Sequence, residues 1–195
     1  SCNAPSRMLV QSSVYGKALA IAKQAAANVA VDQPTKEGWH LGPLSSRAQF
    51  DNVQGLIHTG IEEGATLVAG GLGKPEGLET GYFVKPTIFG DVNNEMIVAR
   101  EGIFGPVLTM IPFDSEEQAI EIANDTPYGL SAYFSTGSEE RAKRVAGKLR
   151  AGMVSVNSAS QNYTAPFGGY KQSGNGREWG EFGFDDFLEI KGITV

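Results

Sequence analysis

Cysteine is almost absent from this chain of 195 residues, which contains only Cys2. A single cysteine cannot form an intrachain disulfide bond, and this composition favours a reducing compartment such as the cytoplasm. The sequence also lacks an apolar run long enough to span a bilayer, so no membrane partner is predicted. Its first residues show no charged segment followed by an apolar one, which argues against a secretory signal.

Positive charge is scarce and is not arranged as a stripe. The formal net charge is -6, which argues against a nucleic-acid surface. The largest local excess of positive charge, in residues 141–150, is typical of the solvated face of a helix. The two histidines, His40 and His58, lack suitably spaced acidic partners, so we predict no metal site.

Hydrophobic residues are plentiful, at 41% with ten Phe, and can form a substantial core. The apolar patterns alternate between short strands and helices, which predicts an α/β domain with a largely parallel sheet and crossover helices. Ser12 or Ser13 is expected to cap the first helix, and Ser45 or Ser46 the second. Strands are predicted at 7–11, 65–69, 107–113, 130–135, 153–157 and 191–195, with an extended segment at 82–89. Helices are predicted at 14–28, between Ser46 and Gly64, and at 115–124, 138–149 and 182–188.

Cys2 is the first candidate for chemistry, and its local sequence leaves two interpretations open. A lone cysteine is more often a small buried hydrophobic residue than a nucleophile. A nucleophilic role requires a thiolate and therefore a suitable environment. Arg7 is the one positively charged residue nearby.

Two further stretches are unusual. In residues 101–106, EGIFGP, the Gly-Pro pair predicts a turn before a strand. Phe104 in this stretch could line a pocket, although a core position is favoured by its sequence alone. Residues 166–180 mix glycines with aromatic and charged residues. Their spacing does not fit a dinucleotide-binding fingerprint, so they are either functional or a structurally demanding crossing loop.

Together these stretches resemble segments of the NAD(P)-dependent aldehyde dehydrogenase family. SCNAPSR resembles the segment around that family's nucleophilic cysteine, EGIFGPV its Glu-x-Phe-Gly-Pro segment, and PFGGYKQSGNGREWG a long glycine-rich segment. YGLSA and AGMVSVN, at 128–132 and 151–157, also resemble family segments in the right order. The resemblance implies a cysteine-bearing catalytic domain at 1–175 and a carboxy-terminal helix and oligomerisation strand at 176–195. It places the cofactor-binding domain outside this chain.

The resemblance also implies a reaction at Cys2. Its thiolate attacks the aldehyde to give a thiohemiacetal, hydride passes to NAD or NADP, and the resulting thioester is hydrolysed to a carboxylic acid. The oxyanion is held by the backbone N–H of Cys2 and by an Asn that lies upstream in the family. The general-base Glu also lies upstream, so we expect this chain, which starts without a Met, to be part of a longer protein and inactive alone.

Further residues acquire expected roles from the same resemblance. Phe104 and Leu130 are expected beside the nicotinamide, whereas Tyr163 and Phe167 are expected to line the aldehyde tunnel. Such aromatic walls would favour apolar or aromatic aldehydes. The last strand, 191–195, is expected to pair subunits in a homo-oligomer, a dimer or tetramer, because an exposed edge strand tends to find a partner.

One position departs from the family pattern. The family commonly has Glu two positions before the Phe, where it binds the nicotinamide ribose, but this sequence has Gly102 there. Glu101 lies one step earlier and would face the other side of an extended segment. Either the ribose is held less tightly, or the flexibility of Gly102 lets Glu101 substitute.

Three functions therefore remain open. The first is the catalytic part of an aldehyde oxidoreductase, which Cys2 and residues 166–180 favour. The second is a non-catalytic module that keeps the fold for oligomerisation or interaction, which Gly102 slightly favours. The third is an acylating enzyme that passes the thioester to coenzyme A.

Overall fold

The computed structural model describes residues 1–195 in two compact units. One unit comprises residues 1 and 6–119, and the other comprises residues 2–5 and 120–195. The helices are α1 (Tyr15–Ala27), α2 (Arg47–Glu62), α3 (Ile97–Arg100), α4 (Glu116–Asn124), α5 (Glu139–Lys148) and α6 (Gly180–Asp185). The strands are β1 (Arg7–Gln11), β2 (Thr66–Ala69), β3 (Thr87–Gly90), β4 (Val107–Phe113), β5 (Ser131–Phe134) and β6 (Met153–Val156). None of these helices has the length and apolar character needed to cross a membrane.

The first unit is built on a four-stranded sheet in the order β1-β4-β3-β2. Strand β4 pairs in parallel with β1 and β3, whereas the edge strand β2 runs antiparallel to β3. Every residue of β3 is buried, which is typical of a strand covered on both faces. The predicted α/β class with a largely parallel sheet is therefore confirmed in this unit.

The apolar faces predicted for α1 and α2 pack towards the core in part, since Val29 and Ile61 of those faces are exposed. On α1, Leu19 and Ala22 pack against the core formed by Val10, Ile88 and Met110. On α2, Val53 and Ile57 are fully buried. The Ser46 side chain accepts a hydrogen bond from the Gln49 N–H at 3.2 Å, so the predicted cap of α2 is confirmed.

The second unit contains the parallel pair β5 and β6. The α5 helix connects them, as a crossover connection between parallel strands requires. Ser138 caps α5 by accepting a hydrogen bond from the Arg141 N–H at 3.2 Å. After β6 the chain runs through a long loop to α6, and this loop carries the glycine-rich stretch.

The predicted cap of α1 is wrong. Ser12 and Ser13 lie in a 3-10 turn, and α1 begins at Tyr15 without a side-chain cap. The Ser12 hydroxyl instead donates to the Phe113 carbonyl at 3.0 Å. The Ser12 side chain, which local rules assign to capping the helix, thus forms a hydrogen bond with a residue far away in the sequence instead.

The predicted strand at 191–195 is also wrong for this chain, whose last five residues have no regular structure. A strand is stabilised by its hydrogen-bonded partner, and no strand of this chain pairs with the segment. Ile193 and Val195 are highly exposed. Pairing of this segment with another subunit stays a prediction.

Candidate active site

Cys2 lies on a turn ahead of β1, and its thiol is free and exposed. This exposure excludes the interpretation of Cys2 as a small buried hydrophobic residue. The Tyr133 hydroxyl, on β5, donates to the Asn3 carbonyl at 2.8 Å. The turn that carries the thiol is therefore anchored to a strand of the second unit and remains open to an incoming molecule.

Phe104 presents its ring outward from the first unit. The side chain is 68% exposed, whereas its neighbour Ile103 is only 3% exposed. The core position favoured for Phe104 by sequence alone is therefore wrong, and Ile103 occupies that position instead. The backbone φ of Phe104 is 51°, a value that residues other than glycine seldom adopt. This conformation turns the ring away from the core.

Helix α2 holds the unusual backbone of Phe104 in place. The Gln49 side-chain amide donates to the Ile103 carbonyl at 2.9 Å and to the Phe104 carbonyl at 3.0 Å. Gly105 approaches α2 so closely that a Cβ there would lie 2.8 Å from a Val53 methyl group. The aromatic ring is thus presented by a constrained segment, because both sides of the turn are fixed.

Gln49 is not among the site residues predicted from the sequence, although it belongs to a recognisable motif. A Gln three residues after the capping Ser46 fits a capping box, in which the Gln reaches back to the cap. Its amide instead bonds to carbonyls more than fifty residues away, at a sequence separation of 54 and 55. The motif therefore predicts where the helix begins, but it does not predict that the Gln49 side chain contacts the Phe104 segment.

Glu101 and Gly102 are both exposed at the end of α3. The Glu101 backbone is extended, with φ -88° and ψ 149°, and its N–H donates to the Ile97 carbonyl at 2.9 Å. Glu101 therefore directly follows the short helix α3 and is exposed in the same loop as Phe104.

Leu130 and Phe167 meet in the second unit, where both line one cleft of about 200 Å³. Glycines 168, 169 and 176 supply backbone to the same cleft, together with Arg177. Tyr163 lines a neighbouring open cleft of about 520 Å³ with Gly180 and Phe182. The structure thus brings Leu130 together with Phe167 and places Tyr163 at a second opening.

The charged residues of the glycine-rich stretch hold the loop to the rest of the second unit. The Lys171 ammonium donates to the Asn124 and Thr126 carbonyls at 2.6 and 3.0 Å, which closes the end of α4. The Arg177 guanidinium donates to the Gly169 carbonyl at 3.1 Å. The interpretation of a structurally demanding crossing loop therefore explains Lys171 and Arg177, while the cleft beside Phe167 stays available to a ligand.

The predicted site residues divide between the two units. Glu101 and Phe104 belong to the first unit, and Cys2, Leu130, Tyr163 and Phe167 belong to the second. An exposed thiol can act as a nucleophile, and exposed or cleft-lining apolar rings can bind a flat ligand. No group of three or more His, Cys, Asp or Glu side chains is arranged to hold a metal ion.

Comparison with known proteins identifies relatives along nearly the whole chain. Residues 1–193 match the profile described as the aldehyde dehydrogenase family. The chain is 54% identical over 193 residues to a 3-succinoylsemialdehyde-pyridine dehydrogenase of a Pseudomonas species, covering 99% of this chain and 40% of that protein. The chain therefore spans about two fifths of the length of the curated relatives that it matches.

Solved structures show the same similarity. Aldehyde dehydrogenase C of Pseudomonas syringae, a cysteine-to-alanine mutant in complex with NAD+ and octanal, matches with a TM-score of 0.93 and 48% identity. The match covers 97% of this chain and 39% of that one. An aldehyde dehydrogenase of Mycobacterium tuberculosis in complex with NAD+ matches with a TM-score of 0.92 and 42% identity, covering 100% of this chain and 41% of that one.

Proposed function

Since this chain belongs to the aldehyde dehydrogenase family, we propose that it supplies the cysteine-bearing part of an enzyme that oxidises an aldehyde to a carboxylic acid with NAD. The exposed thiol of Cys2, on a turn anchored by Tyr133, is the observation that carries this proposal. The remaining three fifths of the relatives' length would supply the general base, the second oxyanion donor and most of the cofactor site.

The chemistry proposed for Cys2 is nucleophilic catalysis. The thiolate sulfur forms a bond to the aldehyde carbon, and the carbonyl oxygen becomes an oxyanion for which the Cys2 N–H is a donor. NAD, when bound, supplies a hydride acceptor for this carbon. Loss of hydride leaves an acyl group on Cys2 as a thioester, and attack by water then releases the acid and restores the thiol.

The residues present fit a nicotinamide cofactor. The Phe104 ring is exposed and fixed through Gln49, so a flat ring can pack against it without first ordering the segment. Leu130 adds an apolar side chain beside the cleft of the second unit. The NAD+ complexes of the Pseudomonas and Mycobacterium relatives support NAD, with NADP as the alternative.

The proposed substrate is an aldehyde with an apolar or aromatic group. Tyr163 and Phe167 provide the aromatic surface for it. Two relatives support this choice, since one is named for a pyridine-bearing semialdehyde and the other was crystallised with octanal. The cytoplasmic location, the division into 1–175 and 176–195, and assembly as a dimer or tetramer stay predictions.

Glu101→Ala in the full-length protein is expected to raise the Kd for NAD by roughly fivefold, because a carboxylate that accepts hydrogen bonds from a ribose is worth about 1 kcal/mol or more. Isothermal titration with NAD measures this change. Glu37→Ala, which removes an exposed carboxylate of the first unit elsewhere in the sequence, is the control. An unchanged Kd for Glu101→Ala would exclude the idea that Glu101 replaces the missing Glu at Gly102.

The proposed function is tested by product analysis with the purified full-length protein. We expect aldehyde-dependent formation of NADH, measured by its absorbance, together with one equivalent of carboxylic acid. The same reaction with coenzyme A added should still give the free acid. A coenzyme A thioester as product would support the acylating alternative, whereas no NADH with any aldehyde would support the non-catalytic module.

A further inference from the structure

Trp179 joins the two aromatic residues expected at the aldehyde site into one cluster. Its ring centroid lies 5.0 Å from that of Tyr163 and 4.8 Å from that of Phe167, with tilts of 53° and 43°. These are favourable separations for aromatic pairs. Tyr163 and Phe167 line different clefts, so Trp179 connects the walls of both.

The backbone around Trp179 is fixed by contacts with the Tyr163–Phe167 segment. Phe167 and Glu178 exchange two backbone hydrogen bonds, both of 2.7 Å. Gly180 packs so closely on the Thr164 carbonyl that a Cβ there would overlap the oxygen. Trp179 itself has a φ of 67°, which is uncommon for a bulky residue. These contacts therefore hold the backbone of Trp179 in a conformation that a residue of this size would seldom adopt without them.

We propose that Trp179 is a specificity-determining residue, which positions the Tyr163 and Phe167 rings so that the site prefers aldehydes carrying an aromatic ring over short aliphatic aldehydes. This inference rests on the proposed function. Trp179 itself lines neither cleft, and the family resemblance implies no tunnel role for it.

The preference for ring-bearing aldehydes follows because the Phe167 ring is already held in place before the substrate binds. A Phe167 ring already packed on Trp179 loses little side-chain freedom when a second ring packs against it. An aromatic substrate gains a ring contact that an aliphatic chain of two or three carbons cannot make. Removing the Trp179 ring should therefore lower kcat/KM for ring-bearing aldehydes much more than for acetaldehyde.

The test compares benzaldehyde with acetaldehyde in the full-length protein. Trp179→Leu is expected to lower the ratio of the two kcat/KM values by roughly twofold to tenfold, the range of one aromatic pair. Trp39→Leu makes the same chemical change at a fully exposed ring of the first unit and should leave the ratio unchanged. Trp179→Phe keeps a ring and should restore most of the preference.

A merely structural role would lower kcat/KM for both aldehydes by the same factor. An unchanged ratio in Trp179→Leu would therefore overturn the inference, and so would an equal change in Trp39→Leu. If Trp179→Leu does not fold, Tyr163→Leu removes an exposed ring of the same cluster and should lower the ratio too; an unchanged ratio there would also overturn it. Absence of activity in the unsubstituted protein would instead contradict the proposed function.

Discussion

Cys2→Ala in the full-length protein is expected to lower kcat/KM for aldehyde oxidation by about a thousandfold or more, the scale of removing a catalytic nucleophile. Alanine has no atom that can bond to the aldehyde carbon, so neither the thiohemiacetal nor the thioester can form. The thiol is free and exposed, so its loss should not unfold the protein. Initial rates of NADH formation measure the effect.

Two controls separate chemistry from damage to the site. Cys2→Ala should bind NAD with an unchanged Kd, because the residues proposed to contact the nicotinamide, Phe104 and Leu130, are retained. Cys2→Ser keeps the size of the side chain but exchanges the thiol for a much weaker nucleophile, and it should be nearly as inactive. An alanine variant with more than about a tenth of the original kcat/KM would contradict a nucleophilic role, since that loss is far below the expected scale.

The second large effect concerns stability. Gly152→Ala is expected to lower the free energy of unfolding by at least about 3 kcal/mol, because its Cβ would overlap the Gly168 carbonyl oxygen, a backbone atom. Gly152 is held in this position by its N–H, which donates to the Gly129 carbonyl at 2.9 Å. The segment on the other side is fixed too, because Phe167, next to Gly168, exchanges two backbone hydrogen bonds with Glu178. Urea unfolding of the full-length protein, followed by circular dichroism, measures the change.

Gly147→Ala is the matched control in the same unit. Gly147 lies in α5, and a Cβ there meets nothing within 4 Å. Alanine should therefore stabilise the helix, by about 0.5 to 1 kcal/mol. Equal stabilities of the two variants would show that the glycine-rich loop does not pack on residue 152 as described. Activity lost in Gly152→Ala but not in Gly147→Ala would link that packing to the site.

Local patterns predicted most of the fold because they act within a few residues. Short apolar segments placed β1 and β4 at their observed bounds, and the Ser46 cap of α2 is formed as expected. The prediction failed at Ser12, whose hydroxyl bonds to Phe113 on β4. It also missed α3, since four residues are too few to show helical periodicity.

The site was harder to predict because its geometry depends on contacts between distant segments. Ile103 and Phe104 are both apolar, and nothing in their order indicates which one faces the core. The positive φ of Phe104 turns its ring outward, and Gln49 on α2 holds the two carbonyls of this segment. The identity of the candidate residues could be obtained from motifs, whereas the exposure of Phe104 and of Cys2 could be obtained only from the structure.

Residues 191–195 show a third reason for failure. Their apolar pattern is that of a strand, yet the segment is exposed and irregular in this chain. Strand structure requires a partner, and sequence pattern alone does not say whether that partner belongs to the same chain. The pattern therefore indicates that the segment can form a strand, but it does not indicate whether the strand is formed within this chain.

Cys2 is proposed to carry the acyl group during turnover. The full-length protein should be mixed with benzaldehyde and NAD, quenched in acid within the first turnover, and digested for mass spectrometry of the peptide that contains Cys2. We expect a mass increase on Cys2 equal to the mass of the aldehyde less two hydrogen atoms, and its disappearance at longer times as benzoate forms. Benzoate formation with Cys2 unmodified throughout would contradict it.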